Sequence, residues 1–253
     1  EAAWQLAGRG IAVTLVEMKP EKHSAAHTSD QFAELVCSNS LRSDALNNAV
    51  GLLKQEMRMI GSLIMTAADH SRVPAGSALA VDREKFAEEV TAAVRSHPLI
   101  TVISKEQTSI PETPAVIATG PLSSEPIAQA IQNYLDDQYC YFFDAAAPIV
   151  MADSIDRSVV FAMSRYGKGG DDYLNCPMNR EEYEAFQEAL VHAELADVKN
   201  FDKETVFEGC MPIETMAKRG IETMRFGPLK PVGLIDPRTG KEPYACIQLR
   251  QDD

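Results

Sequence analysis

The first 17 residues constrain the fold most, because they read as a helix, a glycine and a strand that ends on an acid. Apolar residues recur at helical spacing in EAAWQLA (1–7), and Gly10 stands where a glycine commonly ends a helix. The β-branched run IAVTLVE (11–17) predicts a buried parallel strand. In a dinucleotide-binding βαβ unit, this order follows a first strand and a Gly-rich turn, and the acid binds a ribose hydroxyl. We therefore expect Glu17 to bind a ribose, and a strand with a phosphate-binding loop to precede residue 1.

The pattern that follows is α/β. It predicts a long helix from Ser43 to about Asp69, a helix from its N-cap Asp82 to Pro98, and short strands within VPAGSALAV (73–81), LITVIS (99–104) and PAVIATGP (114–121). The third of these strands runs into a turn at Ala118, Thr119 and Gly120, where a backbone can approach a ligand closely.

A second, smaller α+β lobe is predicted after this α/β region. It begins with a helix near 124–136 and the aromatic-rich strand YCYFFDAAAPIV (139–150), and it contains a helix opened by a capping box at Asn179 and Glu182. The predicted organisation is a Rossmann-like domain over 1–122, an inserted domain over 123–228 and a return segment over 229–253.

Composition narrows the classes of function. The net charge of −13 argues against a surface that attracts nucleic acid as a whole, although residues 218–241 carry six basic side chains against two acidic ones. On charge alone that segment is either a solvated loop or a local nucleic-acid contact. No apolar run approaches the ~20 residues of a membrane span, and no secretory signal pattern is present. The sequence indicates a cytoplasmic protein without a membrane anchor.

The five cysteines are widely spaced and form no CxxC or other metal-ligand pattern, so no metal site is expected. A lone cysteine is most often an inert core residue. Two of them nevertheless lie in polar contexts, Cys37 in VCSNSLRSD and Cys210 in FEGCMPIE. A nearby cation lowers the pKa of a thiol, and Arg42 near Cys37 or Lys218 near Cys210 are candidates for that role.

Several long stretches carry a family resemblance. They are HTSDQFAELVCSNSLRSDALNNAVGLLKQEMR (27–58), VPAG-ALAVDR (73–83), VIATGPL (116–122), YFFDAAAPIV (141–150), SRYGKG (164–169), DYLNCPM (172–178), FEGCMPIE-MAKRG (207–220), FGPLKPVGL (226–234) and YACIQLRQD (244–252). Together they resemble the folate- and FAD-dependent tRNA (uracil-5-)-methyltransferases. Two departures are Ser77, where that family usually has a glycine, and Asp253, where it usually has an asparagine.

The resemblance implies an enzyme that takes a one-carbon unit from 5,10-methylenetetrahydrofolate and reduces it with FAD, which NADH or NADPH replenishes. The product is 5-methyluridine at position 54, in the T-loop of tRNA. Uracil C5 is a poor nucleophile until a thiolate adds to C6, and a second group must then remove the C5 proton. By the same resemblance, Cys210 is the nucleophile and Cys37 supports it, with the two roles exchangeable.

Further residues are assigned through the resemblance. Glu17 is the FAD ribose ligand, and Ala118, Thr119 and Gly120 lie on the cofactor side of the sheet. The basic segment is a tRNA contact through Lys218, Arg219, Arg225 and Lys230.

Two other hypotheses stay open at this point. One is a sister flavoprotein that modifies the wobble uridine of tRNA, and the other is a non-catalytic remnant. The second follows from the expectation that the FAD-binding domain is truncated at both ends, which predicts weak FAD binding and little activity for residues 1–253 alone.

Overall fold

A computed structural model describes residues 1–24, 26–135, 148–167, 170–194 and 211–252 of the chain. By their contacts these residues divide into two units. The first comprises the described residues of 1–73 and 79–147, and the second comprises 74–78 and the described residues of 148–252. Helices and strands occur in both units.

A parallel pair of strands organises the first unit. Helix α1 (Ala2–Ala7) is followed by Gly10, whose φ of 81° turns the chain into strand β1 (Val13–Glu17). Strand β1 pairs in parallel with strand β5 (Ile100–Ser104), with Val13 opposite Ile100 and Glu17 opposite Ser104. The predicted order of helix, glycine, strand and acid is therefore confirmed, and Glu17 lies at the carboxyl end of its strand.

The other elements of the first unit form a three-stranded sheet and four helices. They are β2 (Ser40–Ser43), α2 (Ala49–Met59), α3 (Leu63–His70), β3 (Arg72–Val73), β4 (Ala78–Val81), α4 (Arg83–Ser96) and α5 (Glu125–Leu135), and the strand order is β2-β4-β3. The core includes Leu79, Val81, Phe86 and Val90, so that β4 and α4 bury their apolar faces together.

Two of the local predictions for this unit have clear outcomes. Asp82 caps α4, because its side chain accepts a hydrogen bond from the N–H of Lys85 at 3.1 Å. The single long helix predicted over 43–69 is wrong, because α2 and α3 are separate. Gly61 has a φ of 71°, a left-handed conformation that ends the first helix, and the Ser62 side chain caps the next one.

The strand predicted at PAVIATGP is also wrong, since residues 114–121 have no strand assigned. Val116 is 70% exposed. An apolar run forms a strand only where another backbone supplies its ladder of hydrogen bonds, and within the described residues none does so here.

The second unit is built on an antiparallel sheet of order β6-β7-β8, from β6 (Phe161–Ala162), β7 (Tyr173–Met178) and β8 (Ala245–Arg250). Its longer helices are α6 (Arg180–His192) and α7 (Ile213–Arg219). The predicted capping box at Asn179 and Glu182 is present at the start of α6. Tyr183, Ala217, Met224 and Leu229 are buried in its core.

The observed division of the chain differs from the predicted bounds of 123–228 and 229–253. Helix α5 groups with the first unit, and residues 229–252 group with the second. The reason is strand pairing, because β8 hydrogen-bonds to β7 over six residue pairs, from Tyr173 opposite Arg250 to Met178 opposite Ala245. Most of the predicted strand at 139–150 lies outside the described residues, and its last residues, 148–150, are not in a strand.

Candidate functional site

A cleft of about 190 Å³ opens at the carboxyl end of β1 in the first unit. Its walls are the end of β1, residues from the following segment up to Glu34, residues 105–107 after β5, and residues from the 118–127 stretch. Glu17, Ala118 and Thr119, three of the residues predicted to bind the cofactor, all line it. The fourth, Gly120, is next in the chain and has a φ of 70°. Ligands of open α/β sheets commonly bind at this end of the strands.

The Glu17 carboxylate is anchored by its own chain. Its Oε1 accepts a hydrogen bond from the N–H of Lys19 at 3.0 Å, while the Glu17 backbone carbonyl accepts one from the N–H of Lys105 at 2.8 Å. The side chain is half-buried. These contacts fix the carboxylate at the mouth of the cleft, where it can accept hydrogen bonds from hydroxyl groups of a ligand.

A buried ion pair lies beside Glu17. The Lys19 side chain is 4% exposed, and its Nζ lies 3.2 Å from Glu34 Oε2 and also donates to the carbonyl of Gln31. Glu34 Oε1 accepts from the Thr28 N–H at 2.8 Å and from the Ser29 N–H at 3.2 Å. The Lys19–Glu34 pair therefore holds the segment 19–34 closed against one wall of the cleft.

The titration of Glu34 reflects these contacts. Partial burial alone would raise the pKa of this carboxyl group, but the hydrogen bonds from Thr28 and Lys19 and the charge of Lys19 hold its pKa below the usual value. His27 lines the same cleft, and its Nδ1 lies 2.7 Å from Ser24 Oγ. Burial and the nearby Lys19 charge lower the pKa of His27, which favours the neutral imidazole at pH 7.

The opposite wall is a hydrogen-bonded turn before α5. The Thr119 and Ser123 hydroxyl oxygens are 2.5 Å apart, and Ser123 Oγ donates to the carbonyl of Gly120 at 2.8 Å. Ile127, from the first turns of α5, is buried and lines the cleft as well. The turn brings Thr119 to the lining of the cleft.

Of the two candidate catalytic cysteines, only Cys37 lies within the described residues. Cys37 is exposed, two residues before the buried Asn39, which is fixed by hydrogen bonds to and from the backbone of Val81. Cys210 lies outside the described residues, so its role and its pairing with Cys37 stay predictions. Cys246, on β8, is buried in a cluster with Phe161 and Leu234, and burial raises the pKa of its thiol to about 12, as expected of a structural cysteine.

The basic residues of segment 218–241 differ in exposure and in their ion pairs. Lys218 and Arg219 lie in the last turn of α7, and both are exposed, as is Lys230. Arg225 instead pairs with Glu222, with Nε 2.6 Å from Oε2, and lies against the ring of Tyr244. The predicted cation patch is thus smaller than the count of basic residues suggests, because part of the charge is neutralised within the unit.

Sequence reasoning missed the Lys19–Glu34 pair. Lys19 carried no strand signal, because it lies in the turn that follows β1. Glu34 carried no signal either, since its partner is 15 residues away in the chain. Among the described residues, no group of three or more His, Cys, Asp or Glu side chains is placed to hold a metal ion, and no helix is long and apolar enough to cross a membrane.

Known proteins resemble the chain over its whole length. It is 61% identical over 254 residues to methylenetetrahydrofolate–tRNA-(uracil-5-)-methyltransferase TrmFO of Acetivibrio thermocellus and 61% identical over 253 residues to the protein of the same name from Bacillus pumilus. The Listeria monocytogenes protein of that name is 60% identical over 253 residues. The chain spans 58% of the length of each of these three relatives. The family model described as glucose inhibited division protein A matches residues 1–253, and the chain accordingly belongs to that family.

Proposed function

We propose that this chain belongs to a folate-dependent tRNA uracil-5-methyltransferase, to which it contributes part of an FAD site and two thiols. The observation that carries the proposal is the convergence of Glu17, Ala118 and Thr119 on one cleft at the end of a parallel strand. Relatives that match the chain at about 60% identity carry the name of that activity. Because the chain spans 58% of their length, the whole activity remains a proposal.

The residues of the cleft fit a sugar-sized part of FAD. The cleft has a volume of about 190 Å³, which is below the ~300–1,000 Å³ of pockets for drug-sized ligands. The cleft would therefore hold a ribose rather than the whole dinucleotide. The anchored Glu17 carboxylate would accept the ribose hydroxyls, and the Thr119 hydroxyl and the Gly120 backbone would contact the same ligand from the other wall. When bound, FAD supplies the hydride that reduces the transferred carbon, and NADH or NADPH replenishes it.

The chain's thiols would activate the uracil. The Cys210 thiolate forms a bond to C6, and the C5–C6 electron pair makes C5 nucleophilic toward the one-carbon unit of 5,10-methylenetetrahydrofolate. Cys37, exposed in the first unit, would accept the C5 proton as the bond between the transferred carbon and the tetrahydrofolate nitrogen breaks, which leaves a methylene on C5. Once a hydride has reduced that methylene to a methyl group, the sulfur–C6 bond breaks and the ring double bond returns. The roles of the two thiols are exchangeable in this scheme.

The partners would be tRNA and the folate, in the cytoplasm. Exposure of Lys218, Arg219 and Lys230 supports a contact with the tRNA backbone, while the engagement of Arg225 by Glu222 argues against a direct phosphate contact from that residue. We also propose that the second unit is a smaller domain inserted into an FAD-binding domain.

The test is transfer of labelled carbon from methylenetetrahydrofolate to tRNA that lacks 5-methyluridine. It is best run on a chimera in which residues 1–253 replace the matching 253 residues of the Bacillus pumilus relative. We expect transfer by the chimera and none by its Cys210→Ala variant. Cys176→Ala, which alters a half-buried cysteine of β7, is the matched control and should retain transfer.

Two results would overturn the proposal. Transfer that survives Cys210→Ala and Cys37→Ala alike would remove the thiol mechanism. A chimera that leaves position 54 unmodified but restores a wobble-uridine modification would show the sister activity instead.

A further inference from the structure

The second unit exposes an aromatic ring, that of Phe226, in the segment that connects α7 to β8. Phe226 is 72% exposed. Single exposed apolar side chains are common and need no explanation by themselves. Phe226 differs because the groups beneath its ring form an ordered stack.

That stack has three layers. The guanidinium carbon of Arg225 lies 4.6 Å from the centroid of the Phe226 ring and 4.5 Å from the centroid of the Tyr244 ring. Glu222 fixes the other two groups, since its Oε2 lies 2.6 Å from Arg225 Nε and its Oε1 accepts the Tyr244 hydroxyl at 2.9 Å. The Tyr244 ring in turn meets the buried Tyr183 ring edge-on, with centroids 5.6 Å apart. A cation and a carboxylate therefore lock the exposed ring to the core of the unit.

The backbone of Phe226 is held as well. Its N–H donates to the Glu222 carbonyl at 3.1 Å, and the next N–H, of Gly227, donates to the Met224 carbonyl at 3.1 Å. Met224 and Leu229, on either side of this turn in the chain, are buried in the core. A ligand that stacks on the ring would thus meet a surface that is already ordered, which lowers the entropy cost of binding.

The surrounding charge selects the class of ligand. Lys218 at the end of α7 and Lys230 after the turn are exposed, in a chain whose net charge is −13. Glu222 is the acid of this turn, and it is engaged by Arg225 and Tyr244. A flat apolar ring backed by a guanidinium and flanked in sequence by exposed lysines suits a ligand that joins planar rings with phosphates.

We propose that the Phe226–Arg225–Tyr244 stack is a platform on which an unpaired base of an RNA stacks, with Lys218 and Lys230 contacting its phosphates. The inference rests on the proposed function, because it names the part of the chain that would receive the tRNA. A protein partner with an acidic, apolar surface is the competing occupant, and RNA is favoured because an ordered aromatic–guanidinium stack recognises any base through its π face.

The experiment reads stacking directly. Phe226→Trp places a fluorophore in the platform of the 253-residue chain, and the parent chain, whose single tryptophan is Trp4, provides the background. Addition of tRNA lacking 5-methyluridine should quench the new fluorescence. In binding measured by anisotropy without FAD or folate, Phe226→Ala should weaken the affinity about 5- to 100-fold, and Phe226→Tyr should retain it. Tyr134→Ala, which removes an aromatic side chain that is 75% exposed on α5, is the matched control and should bind as the parent does.

The outcomes separate this inference from the proposed function. If the Phe226→Trp signal is unchanged by tRNA, or if Phe226→Ala binds as tightly as Tyr134→Ala, the platform is not an RNA site, and a protein occupant becomes the better explanation. Quenching by tRNA in a chimera that transfers no carbon would support the platform and contradict the enzymatic proposal. Circular dichroism of each variant shows that it is folded, which is expected since Phe226 buries little surface.

Discussion

Lys19 Nζ lies 3.2 Å from Glu34 Oε2, and this nearly buried pair joins the end of β1 to the segment that closes one wall of the cleft. A buried ion pair stabilises only when its remaining hydrogen-bonding groups are satisfied. That condition is met here by the carbonyl of Gln31 on one side and by the backbone N–H groups of Thr28 and Ser29 on the other. The pair therefore connects the stability of the first unit to the shape of its cleft.

Glu34→Gln should make the stability of the first unit less dependent on pH. The pKa of Glu34 is lowered in the folded chain, so the unfolded chain binds this proton more tightly. The stabilisation is fully present above the unfolded pKa of about 4.3 and is lost as the pH falls through the lower, folded pKa. At pH 7 we expect Glu34→Gln to lower the free energy of unfolding by about 1–2 kcal/mol, with the difference shrinking below about pH 4.

Urea unfolding at a series of pH values measures this effect. Glu21→Gln, an exposed glutamate that follows the same strand, is the control and should show a difference near zero throughout. A gap between parent and Glu34→Gln that grows as the pH falls would contradict the assigned direction.

Glu17→Gln should weaken FAD binding. A neutral amide keeps the size of the side chain but replaces the charged acceptor of hydrogen bonds, a loss of about 1.5–3 kcal/mol or roughly 10- to 100-fold in affinity. Flavin fluorescence titration of the chimera described above checks the prediction, with Glu21→Gln as the unaffected comparison. Equal affinities for parent and Glu17→Gln would remove Glu17 from the cofactor site.

Gly233→Ala should destabilise the second unit more than Gly240→Ala does. Both glycines have positive φ, 81° and 68°, so an alanine is strained at either position. At Gly233 an added Cβ would also lie 2.6 Å from Cε1 of Tyr166, whereas at Gly240 nothing lies within 4 Å. We expect about 1 kcal/mol for Gly240→Ala and about 2–4 kcal/mol for Gly233→Ala.

Thermal or urea unfolding of the two alanine variants measures the difference. Adding Tyr166→Ala to Gly233→Ala should recover the part of the loss that is due to the clash and leave the backbone part. If Gly233→Ala and Gly240→Ala lower the free energy of unfolding equally, the close approach of the Tyr166 ring to Gly233 does not add to the cost of the substitution.

Cys37 and Cys246 should differ sharply in alkylation of the native chain. Cys37 is exposed, whereas the Cys246 side chain is buried and has a thiol pKa of about 12, so little thiolate forms there and reagents cannot reach it. Mass spectrometry of iodoacetamide-treated protein at pH 8 should find Cys37 modified within minutes and Cys246 modified only after urea is added. Equal labelling rates in the native chain would contradict the burial of β8.

Local predictions from the sequence succeeded where the deciding contacts are close in the chain. The N-cap at Asp82 and the capping box at Asn179 and Glu182 each depend on hydrogen bonds that span three residues. The strand that ends on Glu17 follows from a β-branched run and a preceding glycine. These elements can be predicted because the residues that stabilise them are close neighbours in the sequence.

Predictions failed where the structure of a segment depends on a partner far away in the sequence or on the backbone conformation of a single residue. PAVIATGP has the composition of a strand but no ladder partner in the described chain, and the long helix over 43–69 is divided by a left-handed Gly61. Local pattern also does not predict the pairing of β8 with β7, which joins segments about 70 residues apart. Such pairings depend on which distant segments the whole fold brings together, and the local sequence pattern does not indicate this.

The sequence by itself determined the helix, glycine, strand and acid at the start of the chain and, through its long motifs, the family. Only the tertiary structure decided that Glu17, Ala118 and Thr119 share a cleft, that Lys19 and Glu34 form a buried pair behind it, and that Arg225 lies stacked between two rings rather than free in a basic patch. The physical reason is that charge and hydrogen-bonding capacity belong to single residues, whereas desolvation, pairing and stacking depend on neighbours that folding brings from elsewhere in the chain.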